Sequence, residues 1–388
     1  MNPAIAVPAF SRPRALGRLL DALVAADVAP GTPLLISVDR PRQARHAAGN
    51  AAVLDLARRF RWPHGPLEVV AQPDPLGLVS NVFFCGAAAM TYGAVVLLED
   101  DLLVSSRFHA YARQALAAYA AEPRLAGISL NTPWFNGFTQ QPFIPLLDDG
   151  DVFFLQLSTP HGQVYTAAQW AAFAGWLATA APDEGMAAVH DLFAAFPPDD
   201  WLGTKARYLA STGQYYVYPR ESLTTAVGDA GTHFDRATAF FQTALQQRRR
   251  DFRFLTLDAA TAVYDGFYEL LPDRLDRLSD HLHGYRYDVD LYATKPARLL
   301  RAEYVLTTRP CRRAERTFGR ALRPLEANVV GGIRGDGITL ARRKDVATGA
   351  LATSAAHYAN DRYFARYRRP GRTRQLKAAL AAWLYRMR

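Results

Sequence analysis

Apolar positions recur along the first 130 residues in two alternating patterns. Short, mostly apolar runs at 5–10, 34–38, 67–71, 94–98 and 125–130 have the length and continuity of strands buried on both faces. Between them the apolar residues fall at helical spacing, first as Leu16, Leu19, Leu20, Leu23 and Val24, then over 44–60, 78–92 and 107–121. Ser11 and Pro13 suit the cap and first turn of the first helix. Strands spaced by helices predict an α/β fold with a mostly parallel sheet flanked by helices.

From Asn131 the pattern loosens. It predicts strands at 153–157 and 215–218 and helices at 167–180, 201–210 and 238–250. After about Tyr264 the alternation ends, and the rest is rich in Arg and Tyr. The expected organisation is a domain over 1–270, with halves 1–130 and 131–270, and a C-terminal subdomain over 271–388. Gly331-Gly332-Ile333-Arg334-Gly335-Asp336-Gly337 lacks the Lys-Ser/Thr of a phosphate loop and predicts a hairpin turn. Leu376, Leu380, Trp383, Leu384 and Met387 repeat at helical spacing, with Arg374, Lys377 and Arg388 off that stripe. Such a basic amphipathic helix suits peripheral contact with an anionic membrane, or packing on its own domain.

Half of the 388 residues are hydrophobic and 12% aromatic, enough for a sizeable core. The formal charge of +9 is uneven. Residues 341–388 carry ten Arg and two Lys against Asp345 and Asp361, a net +10, which leaves −1 for the other 340. A neutral body with a basic tail argues against nucleic-acid binding over the whole surface. Cys85 and Cys311 are too few for a disulfide framework or a zinc site, which fits a reducing compartment. No apolar run is long enough to span a bilayer, and the first residues read as a strand and not as a signal peptide. A cytoplasmic location is expected.

Val95-Val96-Leu97-Leu98-Glu99-Asp100-Asp101 carries the sharpest chemistry. A buried strand delivers three carboxylates at its C-terminal end, where open α/β sheets bind ligands. Three adjacent acids repel unless a cation sits among them, and a hard divalent ion shared with phosphates fits that need. The plain alternative is a solvated acidic turn ahead of the next helix. Asp199 and Asp200 precede Trp201, so one suits a helix cap and the other a general base. Asp39 at a strand end serves either a ligand or its own backbone, and Arg12 beside Pro13 either a nucleotide or solvent.

The triplet, within Leu97-Leu98-Glu99-Asp100-Asp101-Leu102 and followed by Ser105, Phe108 and Tyr111, resembles GT-A glycosyltransferases. In particular it is similar to the family of the Golgi N-acetylglucosaminyltransferase that initiates complex N-glycans, with its bacterial relatives in surface-polysaccharide synthesis. Similar motifs are Pro8-Ala9-Phe10-Ser11-Arg12-Pro13, Ser37-Val38-Asp39, Asp74-Pro75-Leu76-Gly77-Leu78 with Asn81, and His161-Gly162-Gln163 with Trp170. Pro198-Asp199-Asp200-Trp201 and Gly228-Asp229-Ala230-Gly231-Thr232-His233 complete the set, which spans about residues 4–260.

The resemblance implies a GT-A (Rossmann-like) fold and Mn²⁺ (or Mg²⁺) held by Asp101 with His233. It implies nucleotide-sugar contacts at Pro8, Phe10, Arg12, Asp39, Gly77, Asn81, Glu99, Asp100 and Gly162. Asp199 or Asp200 would deprotonate the acceptor. The implied reaction is inverting transfer from a nucleoside diphosphate sugar, UDP-linked and N-acetylated, onto a saccharide or lipid-linked acceptor. Pro198 departs from the Trp of the animal enzymes and loosens the base assignment.

A sugar-1-phosphate nucleotidyltransferase would open with a Gly-rich basic loop, which Ser11-Arg12-Pro13-Arg14 is not. A non-catalytic nucleotide-sugar or glycan-binding protein has no need of the intact triplet. The enzyme reading requires those acids to face a cation; pairing with neighbouring arginines would count against it.

Overall fold

Six consecutive buried residues form the strand around which the sheet is built, β1 (Ala4–Ala9). In the computed structural model, which describes residues 1–229 and 236–365, the chain continues with α1 (Pro13–Ala25), β2 (Leu34–Val38), α2 (Ala47–Arg59) and β3 (Leu67–Ala71). Then come α3 (Leu78–Gly86), α4 (Ala88–Tyr92), β4 (Ala94–Leu97), β5 (Leu102–Val104), α5 (Phe108–Tyr119) and β6 (Leu125–Ser129). The looser half supplies β7 (Val152–Leu155), β8 (Gln163–Thr166), α6 (Ala167–Thr179), α7 (Trp201–Thr212), β9 (Tyr215–Pro219), β10 (Thr224–Ala226), β11 (Val263–Tyr264) and α8 (Pro272–Asp276).

The large sheet has the order β11-β7-β9-β6-β8-β4-β1-β2-β3. Its first half is parallel, β4-β1-β2-β3; β1, β2 and β4 are buried on both faces as expected, but β3, at the edge of the sheet, is not. β8 runs antiparallel between β4 and β6, and β7 runs antiparallel to β9. This is the α/β, GT-A (Rossmann-like) class that the sequence predicts. β5 and β10 pair separately, as a two-stranded antiparallel ribbon.

Pro8 opens the sheet where the site lies. Ala6 bonds on the β4 side, accepting from the Leu98 amide at 3.0 Å, and Ala9 bonds on the β2 side, accepting from Asp39 at 2.9 Å. The N–H that Pro8 lacks therefore faces the β4 side, past the last β1–β4 pair at Ala6 and Leu97. The strands part there without stranding a donor.

Several expectations are corrected. Arg12, not Ser11, is the N-cap of α1, and no side chain closes that cap; Val24 is exposed while Leu16, Leu19, Leu20 and Leu23 are buried. The helix expected over 78–92 breaks at Ala87. There Gly86 meets the indole of Trp170 so closely that a β-carbon on it would lie 2.0 Å from Cη2. The segment 238–250 is not a helix, because its backbone is committed sideways. Gln246 donates to the Ser222 carbonyl and Thr243 to the Thr225 hydroxyl, both at 2.8 Å, while Ser105 and Ser106 bond the carbonyls of Gln246 and Gln247.

Two units divide the chain, Met1–Trp134 with Pro145–Arg277, and Phe135–Ile144 with the residues from Leu278. By this division the first unit runs to Arg277, and Phe135–Ile144, expected within 131–270, groups with the second unit. That unit holds β12 (Tyr287–Asp290), β13 (Tyr304–Thr307), β14 (Arg316–Phe318), α9 (Glu326–Val330), β15 (Ile338–Arg342) and α10 (Ala350–Phe364), with sheet order β12-β13-β15-β14. Buried Arg309 ties it together, donating to Asp290 and to the Ala293 carbonyl, each at 2.7 Å. Residues 331–337 are not a hairpin turn, since α9 separates the paired strands β14 and β15; the segment leads from the end of α9 into β15. Among the described residues no helix is long and apolar enough to cross a membrane.

Candidate active site

The acidic triplet leaves the sheet where β4 stops pairing with β1. Val95, Val96, Leu97 and Leu98 are buried, so the strand is fixed up to the first acid. The following β5 pairs with β10, and Val227 donates to the Asp101 carbonyl at 3.1 Å, so the backbone is held on both sides of the acids. Arg12, in the turn between β1 and α1, reaches across. Its Nη1 donates to Asp101 Oδ2 at 2.8 Å and its Nη2 to Asp100 Oδ1. One guanidinium therefore straddles two neighbouring carboxylates.

The electrostatics follow from that sharing. Burial opposes charge on Arg12, but Asp100 and Asp101 outweigh it and hold the guanidinium above its ordinary pKa. Burial raises Asp100 to about 6 despite Arg12. Glu99 is pushed up to about 8, by burial first and then by Asp101 and Asp100. Asp100 and Asp101 are thus salt-paired with a neighbouring arginine, the arrangement that counts against their facing a metal ion.

β8 brings a second piece alongside. Its register pairs Gln163 with Leu97, so His161 and Gly162 lie beside the start of the triplet. Gly162 has φ +97 and lies against Thr224, whose Cγ2 would be 2.9 Å from an added β-carbon. The Thr224 hydroxyl donates to the His161 carbonyl. Burial lowers the His161 imidazole to about 4, with Asp101 pulling the other way. Glu99 and His161 are half-buried. Arg18 of α1 pairs with Asp229 at the start of the Gly-rich segment. His233 lies outside the described residues.

The end of β2 builds a third piece. Asp39 is buried and spends its carboxylate on backbone: Oδ1 accepts from Leu76 and Arg40 at 2.8 Å, and Oδ2 from Gly77 at 3.0 Å. Asn50 donates to the carbonyls of Phe10 and Asp39 at 2.7 Å, tying the two strand ends together, and the Phe10 ring lies 5.2 Å from His46. Asn81 accepts from Ser37 at 2.5 Å and donates to its carbonyl at 3.2 Å, so it locks α3 beneath this edge.

The turn before α7 separates its two acids. Asp200 is the N-cap, accepting from the Gly203 amide at 2.8 Å, while Asp199 is exposed. Trp201 packs on Phe83 of α3 at 5.3 Å and on Phe173 of α6 at 6.0 Å, which anchors the turn. Neither acid bonds to the triplet among the described residues.

Lys205 sits behind that turn. It is fully buried, with Nζ 3.3 Å from the Phe173 centroid and 4.6 Å from that of Tyr165, and it has no hydrogen-bond partner among the described residues.

No known protein family and no curated protein is matched by the sequence. Among solved structures, the chain is similar to residues 1–349 of TarS from S. aureus, at 14% identity and TM-score 0.37, over 59% of this chain and 61% of that one. It is similar to the same fragment in complex with UDP-GlcNAc, at 14% identity and TM-score 0.30, over 57% and 60%. A UTP-bound UGPase from Acinetobacter baumannii matches at 14% identity and TM-score 0.29, over 58% and 88%. The chain spans about three fifths of the length of the first of these. Likeness at this level says nothing of activity, and the fold class rests on the strand order itself.

Sequence reasoning anticipated the acids, His161, Gly162 and Asp39, but not the residues that hold them. Thr224, Asn50 and Arg18 lie in no motif, and their partners are far along the chain, so spacing gives no signal. Two open hollows of about 330 Å³ are placed elsewhere, one at Met1, Ala110, Arg113 and Gln114 and the other at Arg124, Trp176, Tyr208 and Thr212. Neither gathers acids, and the triplet remains the candidate.

Proposed function

We propose that this protein transfers a sugar from a nucleoside diphosphate to a saccharide or lipid-linked acceptor, with inversion. One observation carries the reading: the acidic triplet and Arg12 converge at the carboxyl ends of two adjacent parallel strands, the place where open α/β sheets bind nucleotides. The motif resemblance supplies the finer terms, namely a UDP-linked, N-acetylated donor and a role in bacterial surface-polysaccharide synthesis. The basic C-terminal segment suits a lipid-linked acceptor at an anionic membrane.

The donor set bears on the expected Mn²⁺ or Mg²⁺. Two of the three carboxyls share one guanidinium, and Glu99 and Asp100 are held above their ordinary range, by burial first. Each Asp gives Arg12 only one oxygen. Among the described residues, no three His, Cys, Asp or Glu side chains converge as a ready metal site. The expected ion therefore rests on the motif resemblance, in which it shares its shell with diphosphate oxygens. Asp101 would hold it, with His233, which lies outside the described residues. When bound, such an ion offsets charge on the departing diphosphate.

The chain's own groups do the rest. Arg12 presents its guanidinium at the same edge, for the phosphates. Asp39 fixes the loop of Leu76 and Gly77 beside the nucleotide. Asp199, free of the helix cap, is the base for the acceptor hydroxyl.

The test is a screen of nucleotide sugars for Mn²⁺-dependent hydrolysis and transfer, with Asp101→Ala as control. Activity should vanish with the substitution and with chelation. Turnover surviving both removes the metal role, and absence of binding to any nucleotide sugar removes the reading.

A further inference from the structure

The hollow between α6 and α7 lies at the opposite rim of the large sheet from the acids. Its wall includes Arg124, just before β6, and Gln214, just before β9. These are the leading ends of two parallel strands, whereas the acids follow the carboxyl end of β4. Because β8 is antiparallel to both β4 and β6, those two strands run the same way. The hollow, of about 330 Å³, is therefore separate from the site described above.

Two rings form its wall. Trp176 and Tyr208 have centroids 5.4 Å apart and planes at 56°, which makes a bent aromatic surface. Trp176 is half-buried and fixed in place. Its Nε1 donates to Glu184 at 2.9 Å, Glu184 accepts the Ala181 amide at 3.3 Å, and the Arg207 guanidinium lies 6.0 Å from the ring centroid. Tyr208 is 2% exposed, yet its hydroxyl has no hydrogen-bond partner among the described residues. A phenol buried to that degree ordinarily places its O–H on a partner, and the hollow is open to supply one.

The rim is polar and without net attraction for an ion. Gln214 donates one N–H to the Pro123 carbonyl at 2.7 Å, and its oxygen lies 3.1 Å from the Thr212 hydroxyl. The amide is thus held with a second N–H left over. Arg124, the one cation of the lining, is bonded by both Glu122 and Asp258, so it presents no unpaired charge.

A fixed aromatic wall with neutral donors and acceptors at its edge suits a ligand with C–H faces, hydroxyl edges and no charge. A pyranose has all three. Its axial hydrogens meet the electron-rich ring faces, and its equatorial hydroxyls meet the amide and the phenol. The volume stands at the lower end of the about 300–1,000 Å³ of small-ligand sites, which suits a short stretch of saccharide.

We propose that this hollow is a second saccharide-binding site, which holds a neutral sugar unit of the acceptor away from the chemistry. That the saccharide is the acceptor rests on the transferase reading above; that it is a neutral saccharide rests on the hollow alone. A long acceptor then gains a second point of attachment, which raises its effective concentration at the acids without touching the reacting atoms.

The experiment is a titration of the full chain with maltotetraose, cellotetraose, mannotetraose and chitotetraose, with tetragalacturonate as the charged control. Tryptophan fluorescence gives the affinity, and saturation-transfer NMR gives the sugar protons in contact. Wild type, Trp176→Ala, Tyr208→Phe, Gln214→Ala and Asp101→Ala are compared, with melting temperatures for each and UDP binding read by calorimetry. At least one neutral tetrasaccharide should bind wild type, with saturation concentrated on ring C–H protons. Trp176→Ala should weaken it at least tenfold, Tyr208→Phe and Gln214→Ala at least threefold each, and Asp101→Ala not at all. Tetragalacturonate should bind at least tenfold more weakly.

If Trp176→Ala fails to fold, the two milder variants decide. No binding of any neutral tetrasaccharide, or binding that Tyr208→Phe and Gln214→Ala leave intact, overturns the proposal; UDP binding that persists leaves the transferase reading standing. Tighter binding of tetragalacturonate overturns it as well. Saccharide binding at the hollow in a chain that binds no nucleotide or nucleotide sugar upholds the site and removes the transferase reading.

Discussion

The Asp200 carboxylate accepts the Gly203 amide at 2.8 Å and so closes the first turn of α7, which leaves Asp199 as the uncommitted acid of the pair. The two substitutions should therefore separate. Asp200→Ala is expected to lower stability by about 1 kcal/mol, the usual cost of a lost N-cap, with Asp200→Asn close to wild type. Asp199→Ala should leave the melting temperature unchanged and cut transfer by ~10²–10⁴, the range for a lost general base. Thermal melts and turnover on one set of samples decide it; a reversed pattern moves the base to Asp200.

Gly162 combines φ +97 with the near contact to Thr224. Gly162→Ala should cost ~1–3 kcal/mol through backbone strain, read as a shifted denaturant midpoint. Adding Thr224→Ser removes the offending methyl but not the dihedral, so recovery should be partial. Complete rescue would place the whole cost in the contact.

Burial without a partner lowers the Lys205 amine well below its ordinary 10.5. Because the folded-state value is depressed, the unfolded chain binds the extra proton, and wild type loses stability as pH falls below that ordinary value. Lys205→Met fills similar space with no amine to desolvate. It should be more stable by ~1–3 kcal/mol near neutral pH, the cost of burying an unsatisfied polar group. The advantage should shrink as pH rises toward 10.5. Denaturant melts across pH 7–10 test this, and a gap that stays constant would mean the five surrounding rings hold the ammonium charged.

Asp39 accepts three backbone amides, two from the 73–77 loop. Asp39→Ala should cost ~2–3 kcal/mol, as expected when a charged acceptor is lost. The Leu76 and Gly77 amides should then exchange with solvent much faster. Unchanged protection at those two positions would show that the loop is pinned by other means.

What the sequence displayed depended on whether a signal was local. β1, β2 and β4 are buried on both faces, so 94–97 shows as an unbroken apolar run and 34–38 as one interrupted only by Ser37, whereas the edge strand β3 is largely half-buried or exposed. β8 is four residues bounded by Gln163 and Thr166, whose polar groups are satisfied internally, so its burial leaves no apolar run to read. Ala239, Gln242, Ala244, Gln246 and Gln247 favour a helix, yet their segment is spent on bonds to 222–228, a tertiary override of propensity. At the site, the acids are contiguous and visible, whereas Arg12 meets them across 88 and 89 positions, a distance at which no motif operates.

An antiparallel strand begins where its parallel neighbours finish. Because β8 opposes β4, the peptide entering it arrives at the same rim as the acids leaving β4, although 60 residues intervene. The chain between them includes β7, itself a buried strand of the same sheet, so strand direction and not nearness in sequence is what returns His161 and Gly162 to the acids.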